Sequence, residues 1–259
     1  MRIARVAHGD EIRYGVVDGA EGAETFTPVV GDPLYVPLQV AGEALPLVDL
    51  RLLTPVIPRS KIIGVARNYA KHAEELGNAA PAEPMLFLMP NTAVAGPTDP
   101  IMYPAISKEL SHEAELCVVI GRVGKDVPRE RVPEVIFGYT CGNDVTARDL
   151  QRSDGRWARA KGFDSACPLG PWIETELDPA DLAIGCTVNG EVRQDGRTSQ
   201  MIHDVAKIVS YASAAFTLLP GDVIMTGTPA GVGSLEVGDE VAVTVEGIGT
   251  LRNRVLSRA

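Results

Sequence analysis

Two glutamates two residues apart, Glu113 and Glu115, stand directly before the apolar run Leu116-Cys117-Val118-Val119-Ile120, which Gly121 ends. That run reads as a buried strand. Side chains two apart on a strand share a face. Both carboxylates therefore project the same way, at the mouth of a segment that wants an apolar environment. Like charges held side by side against a core repel each other and lose hydration. A divalent cation between them relieves both costs. Asp144, ending a second apolar stretch in Cys141-Gly142-Asn143-Asp144, is a third candidate oxygen ligand. Three carboxylates without paired cysteines point to a hard ion, Mg2+ or Mn2+, rather than zinc. The same short pattern also suits two glutamates on the solvent face of an edge strand.

Charge and cysteine usage narrow the class of protein. The formal net charge of −10 argues against a nucleic-acid partner. It leaves room for a small anionic or keto substrate, because a local site can be positive while the whole is negative. No apolar run approaches the length of a membrane span, and Met1-Arg2-Ile3-Ala4-Arg5-Val6 lacks a secretory apolar core. A soluble cytoplasmic protein is expected. Cys117, Cys141, Cys167 and Cys186 form no C-x-x-C pair and read as buried free thiols. Cys167 is the one with a nucleophilic alternative.

Along the chain, residues 2–6 and 12–17 read as a hairpin around His8-Gly9-Asp10. Residues 18–50 mix Gly, Pro and acidic residues with short apolar pieces, and Pro55 and Pro58 mark a boundary. The expected division is a small β-containing N-terminal domain, 1–57, and a catalytic domain, 58–259. Within the latter, Lys61–Val65 and Met85–Met89 read as strands, and Tyr69–Leu76 as a helical segment closed by Gly77. Residues 77–84 read as a mobile loop, which with the helix would form a lid over 70–82. Arg129–Ile136 suits a short helix, and Thr198 to about Thr217 is the best helix, with Met201, Val205, Ile208 and Val209 at helical spacing. Strands follow at Val223–Thr226, Val241–Val245 and Leu251–Leu256. Many short strands with few helices predict a β-rich α+β fold, not a doubly wound one.

Several further residues could do chemistry. His72 and Glu75 are three apart, which on a helix places them on one face. A carboxylate beside an imidazole orients the ring and raises its basicity, as a general base requires. A surface helix with a weak ion pair has the same spacing. Arg148 and Gln151, also three apart, could grip a carboxylate or keto oxygen, and Lys161 could add a point charge. All three residue types also populate ordinary solvated surfaces. Gly227-Thr228-Pro229-Ala230-Gly231-Val232-Gly233 lacks the pattern of a P-loop or dinucleotide fingerprint. It could present backbone N–H groups and the Thr228 hydroxyl to a substrate oxyanion, or be a simple turn. His8 reads as a turn residue, His112 as pointing to the opposite strand face, and His203 as a helix-surface residue or one satisfied in the core.

In order, Ile62-Ile63-Gly64-Val65-Ala66-Arg67-Asn68-Tyr69-Ala70-Lys71-His72, His112-Glu113-Ala114-Glu115-Leu116, Gly138 to Gln151, Lys161-Gly162-Phe163-Asp164 and Leu219 to Pro229 resemble the fumarylacetoacetate hydrolase family. The resemblance runs over roughly residues 60–259. It implies a mixed β-roll catalytic domain, an Mg2+ or Mn2+ site and a homodimer. It places Glu113, Glu115 and Asp144 on the metal ligands, His72 and Glu75 on a water-activating pair, and Lys161 beside the enolate. Arg67, Arg148, Gln151 and Thr228 fall among substrate-contacting positions. Met89 departs from the pattern, since similar proteins usually carry Lys before Pro90. Met there would offer an apolar, adaptable surface near the lid.

The implied reaction is hydrolytic carbon–carbon cleavage of an acylpyruvate-type 2-oxo acid or 1,3-diketone. Oxaloacetate-type decarboxylation and 2-hydroxy-dienedioate isomerisation share its enolate and are alternatives. A cyclase or isomerase of a secondary pathway, or a non-catalytic binding protein on the same fold, are further ones.

Overall fold

The computed structural model describes residues 1–75 and 77–257. Leu76, the last residue of the expected helical segment, lies outside them. Among the described residues there are three sheets, of twelve, five and three strands. The strand Ala114–Ile120 lies inside the largest sheet, between Ile136–Asn143 and Val223–Met225. That central position explains its unbroken apolar sequence, because every one of its residues is buried. An edge strand is thereby excluded.

The same sheet continues through Ile62–Ala66, parallel to Val223–Met225, and ends on Met85–Met89. In the other direction it passes through Cys167–Glu174 to the N-terminal hairpin. Arg2–His8 and Glu11–Asp18 form that hairpin as the sequence predicts. Arg2 and Ile3 pair with Glu174 and Ile173, so the first strand extends the central sheet. The five-stranded sheet gathers Ala183–Val188, Glu191–Arg197, Glu240–Val245, Gly249–Ser257 and Ile101–Tyr103. No helix of the described residues is long and apolar enough to cross a membrane.

The helices depart most from expectation. The expected helix over Thr198 to about Thr217 is a single 3-10 turn, Thr198–Gln200, followed by an α-helix only at Val205–Ala215. Between them the backbone N–H of Ile202 bonds to the Asn68 carbonyl, and that of His203 to Asn68 Oδ1. Those tertiary bonds replace helical ones. Asp204 then starts the helix by accepting the Lys207 N–H at 2.7 Å. The short helix expected at Arg129–Ile136 is a 3-10 segment, Arg129–Glu134, containing Pro133. Proline lacks the donor for continued α-helical bonding.

Met89 also departs from expectation. Its side chain is buried, at 2 % exposure, in an apolar cluster with Ile62, Ala93 and partly buried Phe163. It fills core and presents no adaptable surface to a lid.

Candidate metal centre and active site

The register of the two central strands assembles the acidic cluster. Ala114 pairs with Asn143 and Glu115 with Gly142, so Glu113 lies beside Asp144 across the antiparallel ladder. The Asp144 N–H donates to the Glu113 carbonyl at 2.9 Å, and the Glu113 N–H to Asn143 Oδ1 at 2.9 Å. Carboxylate oxygens of Glu113, Glu115 and Asp144 lie within 4.8 Å of one another, all three residues buried.

Two cations face this trio. Lys161 Nζ donates to Glu113 Oε2 at 2.7 Å and to Asp144 Oδ2 at 2.6 Å. Arg148 Nη2 donates to Glu113 Oε1, and its Nη1 to Gln151 Oε1 at 3.0 Å. Burial opposes ionisation of Glu113, but Lys161 and Arg148 outweigh it and hold its carboxyl well below the usual range. Glu115 is the reverse case. Burial, then the charges of Asp144 and Glu113, push it well above the usual range. Burial with the Glu113 charge likewise lifts Asp144 to about 6, against the pull of Lys161. Among the described residues Asp144 Oδ1 has no hydrogen-bond partner. With Glu115 ionised, Lys161 and Arg148 face three carboxylates and one negative charge lacks a counter-charge among these residues. An all-oxygen set with an orphaned carboxylate oxygen fits a hard divalent cation.

His72 and Glu75 occupy the helix Ala70–Glu75. His72 is buried, and its Nδ1 lies 3.3 Å from Glu75 Oε2. Glu75 also accepts the Gly231 N–H at 3.1 Å. The glycine-rich loop thus spends its N–H groups on acidic side chains, since Gly227 donates to Glu115 Oε2 at 2.6 Å. The expected oxyanion role of these two N–H groups is replaced by orientation of Glu115 and Glu75. Thr228 Oγ1 accepts from Gln194 Nε2 at 2.7 Å, which leaves its own proton as the one it can offer a ligand.

Every site residue named from the sequence except Glu75 lines one cavity of about 310 Å3. That includes Arg67, which follows the strand Ile62–Ala66. Phe87 and Trp157 add an aromatic wall that no motif in the sequence marks. Phe87 and Trp157 meet edge to face at 5.5 Å, and Lys161 Nζ lies 5.4 Å from the Phe87 ring centre. Strand alternation through Met85–Met89 carried the signal for Phe87, but nothing in the sequence pairs it with Trp157. Cys167 is fully buried with Sγ 3.5 Å from Met225 Sδ, and burial raises its thiol well above the usual range. It is a packed thiol, not a nucleophile.

Comparison with known proteins places the chain among a set of relatives. Residues 61–256 match the fumarylacetoacetate (FAA) hydrolase C-terminal model, and residues 1–55 an Rv2993c-like N-terminal model. An oxaloacetate tautomerase of Escherichia coli (strain K12) is 43% identical over 206 residues, 77% of this chain and 94% of that protein. The structure of a 2-hydroxyhepta-2,4-diene-1,7-dioate isomerase from Mycobacterium marinum superposes with a TM-score of 0.93 at 48% identity, covering 100% of this chain and 99% of that one. A maleylpyruvate hydrolase from Sphingobium sp. SYK-6, solved with manganese(II) and pyruvate, gives a TM-score of 0.81 at 34% identity over 100% of both chains. With a family model matching most of its length and relatives this similar over nearly all of it, the chain belongs to the fumarylacetoacetate hydrolase family.

Proposed function

We propose that this protein is a divalent-metal-dependent enzyme that hydrolyses the carbon–carbon bond of an acylpyruvate-type 2-oxo acid. The observation that carries the reading is that His72, held by Glu75, lines the same cavity as Glu113, Glu115 and Asp144. Those three carboxylates would hold Mg2+ or Mn2+, which when bound supplies positive charge to substrate oxygens and stabilises enolate charge.

The chain's own residues supply the rest. Glu75 engages Nδ1 of His72 and leaves Nε2 to take a proton from water. The hydroxide adds to the distal carbonyl. The bond between that carbon and the methylene breaks, and its electron pair stays on the pyruvate fragment as an enolate. Protonation at carbon then gives pyruvate beside the free acid. Lys161 keeps a positive charge next to the developing enolate. Arg67, Arg148, Gln151 and Thr228 bind the substrate, and Phe87 with Trp157 excludes bulk water from one side. A cytoplasmic homodimer belongs to the same reading, and light scattering tests the assembly.

A second reading, keto–enol tautomerisation of a small 2-oxo acid, draws on the 43% identity to an oxaloacetate tautomerase. It uses the same pocket, with His72 moving a proton at substrate carbon instead of at water. Acetylpyruvate hydrolysis and ketonisation of enol-oxaloacetate, followed by ultraviolet absorbance with Mg2+ or Mn2+ and after chelation, separate the two. Metal-dependent release of pyruvate and acetate supports hydrolysis. Accelerated enol-oxaloacetate decay without that release assigns tautomerisation. Neither activity in metal-loaded protein overturns both.

A further inference from the structure

Gln194 is the one buried side chain of a strand that otherwise faces solvent. In Glu191–Arg197 only Gln194 and Gly196 are buried, and Gln194 is 1 % exposed. A bulge aims it inward. Gln194 pairs with Cys186 and Val192 with Thr187, which leaves Arg193 as the extra residue. Gln194 lies behind Thr228, outside the lining of the 310 Å3 cavity that Thr228 shares.

Two backbone groups of fixed polarity set which way its amide points. The Ala114 N–H can only donate, and it meets Oε1 at 3.0 Å. The Pro229 carbonyl can only accept, and it meets Nε2 at 2.8 Å. A turned-over amide would face donor with donor and acceptor with acceptor. His112 Nδ1, 3.0 Å from Oε1, therefore carries a proton and donates as well. Nε2 gives one proton to Pro229 and the other to Thr228 Oγ1 at 2.7 Å. The Thr228 hydroxyl has a single proton, which this arrangement directs away from Gln194. A buried polar network satisfied at every member of the amide holds one geometry.

We propose that Gln194 is a positioning residue that holds Thr228 Oγ1 as an acceptor, so that the Thr228 proton points at a substrate oxygen carrying none. The inference rests on the 2-oxo acid reading above and deepens it. The carboxylate, keto or enolate oxygens of a 2-oxo acid fit a donor fixed in this way. The same amide ties Thr228 to Ala114, which stands between Glu113 and Glu115. The donor therefore keeps its place relative to the acidic trio. A donor already oriented loses no rotor freedom when the ligand arrives, which strengthens the contact.

The test is equilibrium binding of pyruvate to the Mn2+-loaded protein by calorimetry, as a double-mutant cycle of Gln194→Met and Thr228→Val. Thr228→Val should weaken pyruvate binding by about tenfold, the scale of a hydrogen bond to a charged group. Gln194→Met should weaken it by at least about threefold in the native background and by less than about twofold in Thr228→Val, because the group it positions is then gone. A merely structural role for Gln194 would weaken pyruvate alike in both backgrounds, and that result overturns the proposal. Unchanged binding in Gln194→Met overturns it too. Should Gln194→Met not fold, Gln194→Asn, whose shorter amide cannot span Ala114 and Thr228, is measured in its place. Unchanged binding in Thr228→Val overturns the inference and leaves the 2-oxo acid reading standing. If the metal-loaded native protein does not bind pyruvate, both fall.

Discussion

The backbone N–H of Gly227 donates to Glu115 Oε2 at 2.6 Å, joining residues 112 apart in sequence. Gly227 has a φ of +98° and packs so closely on Asn68 that no Cβ fits. The carboxylate most reluctant to ionise is therefore aimed by a position that only glycine occupies without strain.

Gly227→Ala should destabilise the fold by about 2–4 kcal/mol, combining backbone strain with a steric clash. Denaturant unfolding checks the size. The variant should also respond less to metal, since Glu115 loses its orientation.

Metal should stabilise the protein as well as support turnover, because it binds the folded trio and not the unfolded chain. At a hundredfold excess over Kd the gain is about 2.7 kcal/mol, read as a rise in Tm. Glu115→Gln should abolish that rise. Equal Tm with chelator and with millimolar Mg2+ or Mn2+ would sink the metal assignment.

The same glutamate sets a pH dependence in chelated protein. Its folded pKa is raised by burial and by Asp144 and Glu113. The native state then holds the proton more tightly than the unfolded state, so stability falls as pH rises above the ordinary carboxylate range. Glu115→Gln should flatten that slope and leave the metal-free protein at least as stable near neutral pH. A steeper loss in the variant would contradict the charge argument.

His72→Ala should lower acylpyruvate hydrolysis by about 10²–10⁴-fold, the size of a general-base contribution. The metal-induced Tm rise should survive, since His72 is not among the proposed ligands. Lys161→Ala should lower hydrolysis and tautomerisation together, because both develop enolate charge. It also frees Glu113 and Asp144 of their shared counter-charge, so metal affinity should rise. Equal losses of both reactions in His72→Ala would show that His72 serves a step common to both.

The thiols give a negative control. Burial pushes Cys141 and Cys186 up to about 12, and Cys117 and Cys167 well above the usual value. Iodoacetamide at pH 8 should leave the native protein unlabelled and modify all four on unfolding. Rapid native labelling of Cys167 would reopen a nucleophilic role.

The amino-acid sequence by itself determined the N-terminal hairpin, the strands at Lys61–Val65, Met85–Met89 and Leu116–Ile120, and the identity of the acidic trio, but it did not mark Ile101–Tyr103, Cys167–Glu174 or Glu191–Arg197 as strands. Leu116–Ile120 had to be buried, and period-two geometry aimed Glu113 and Glu115 together before any partner was known. Strand alternation and local spacing are short-range physics, so they are legible residue by residue. Only the tertiary structure decided what each polar group holds. Arg148 and Lys161 turn to Glu113 and Asp144, and the glycine-loop N–H groups go to Glu115 and Glu75. Asn68 diverts Ile202 and His203 from a helix that their neighbours favour. Each is a pairing between groups far apart in the chain, chosen because a buried polar atom must find a partner wherever packing brings one. Burial of Met89 is the same kind of outcome, since the neighbours that enclose it come from other strands.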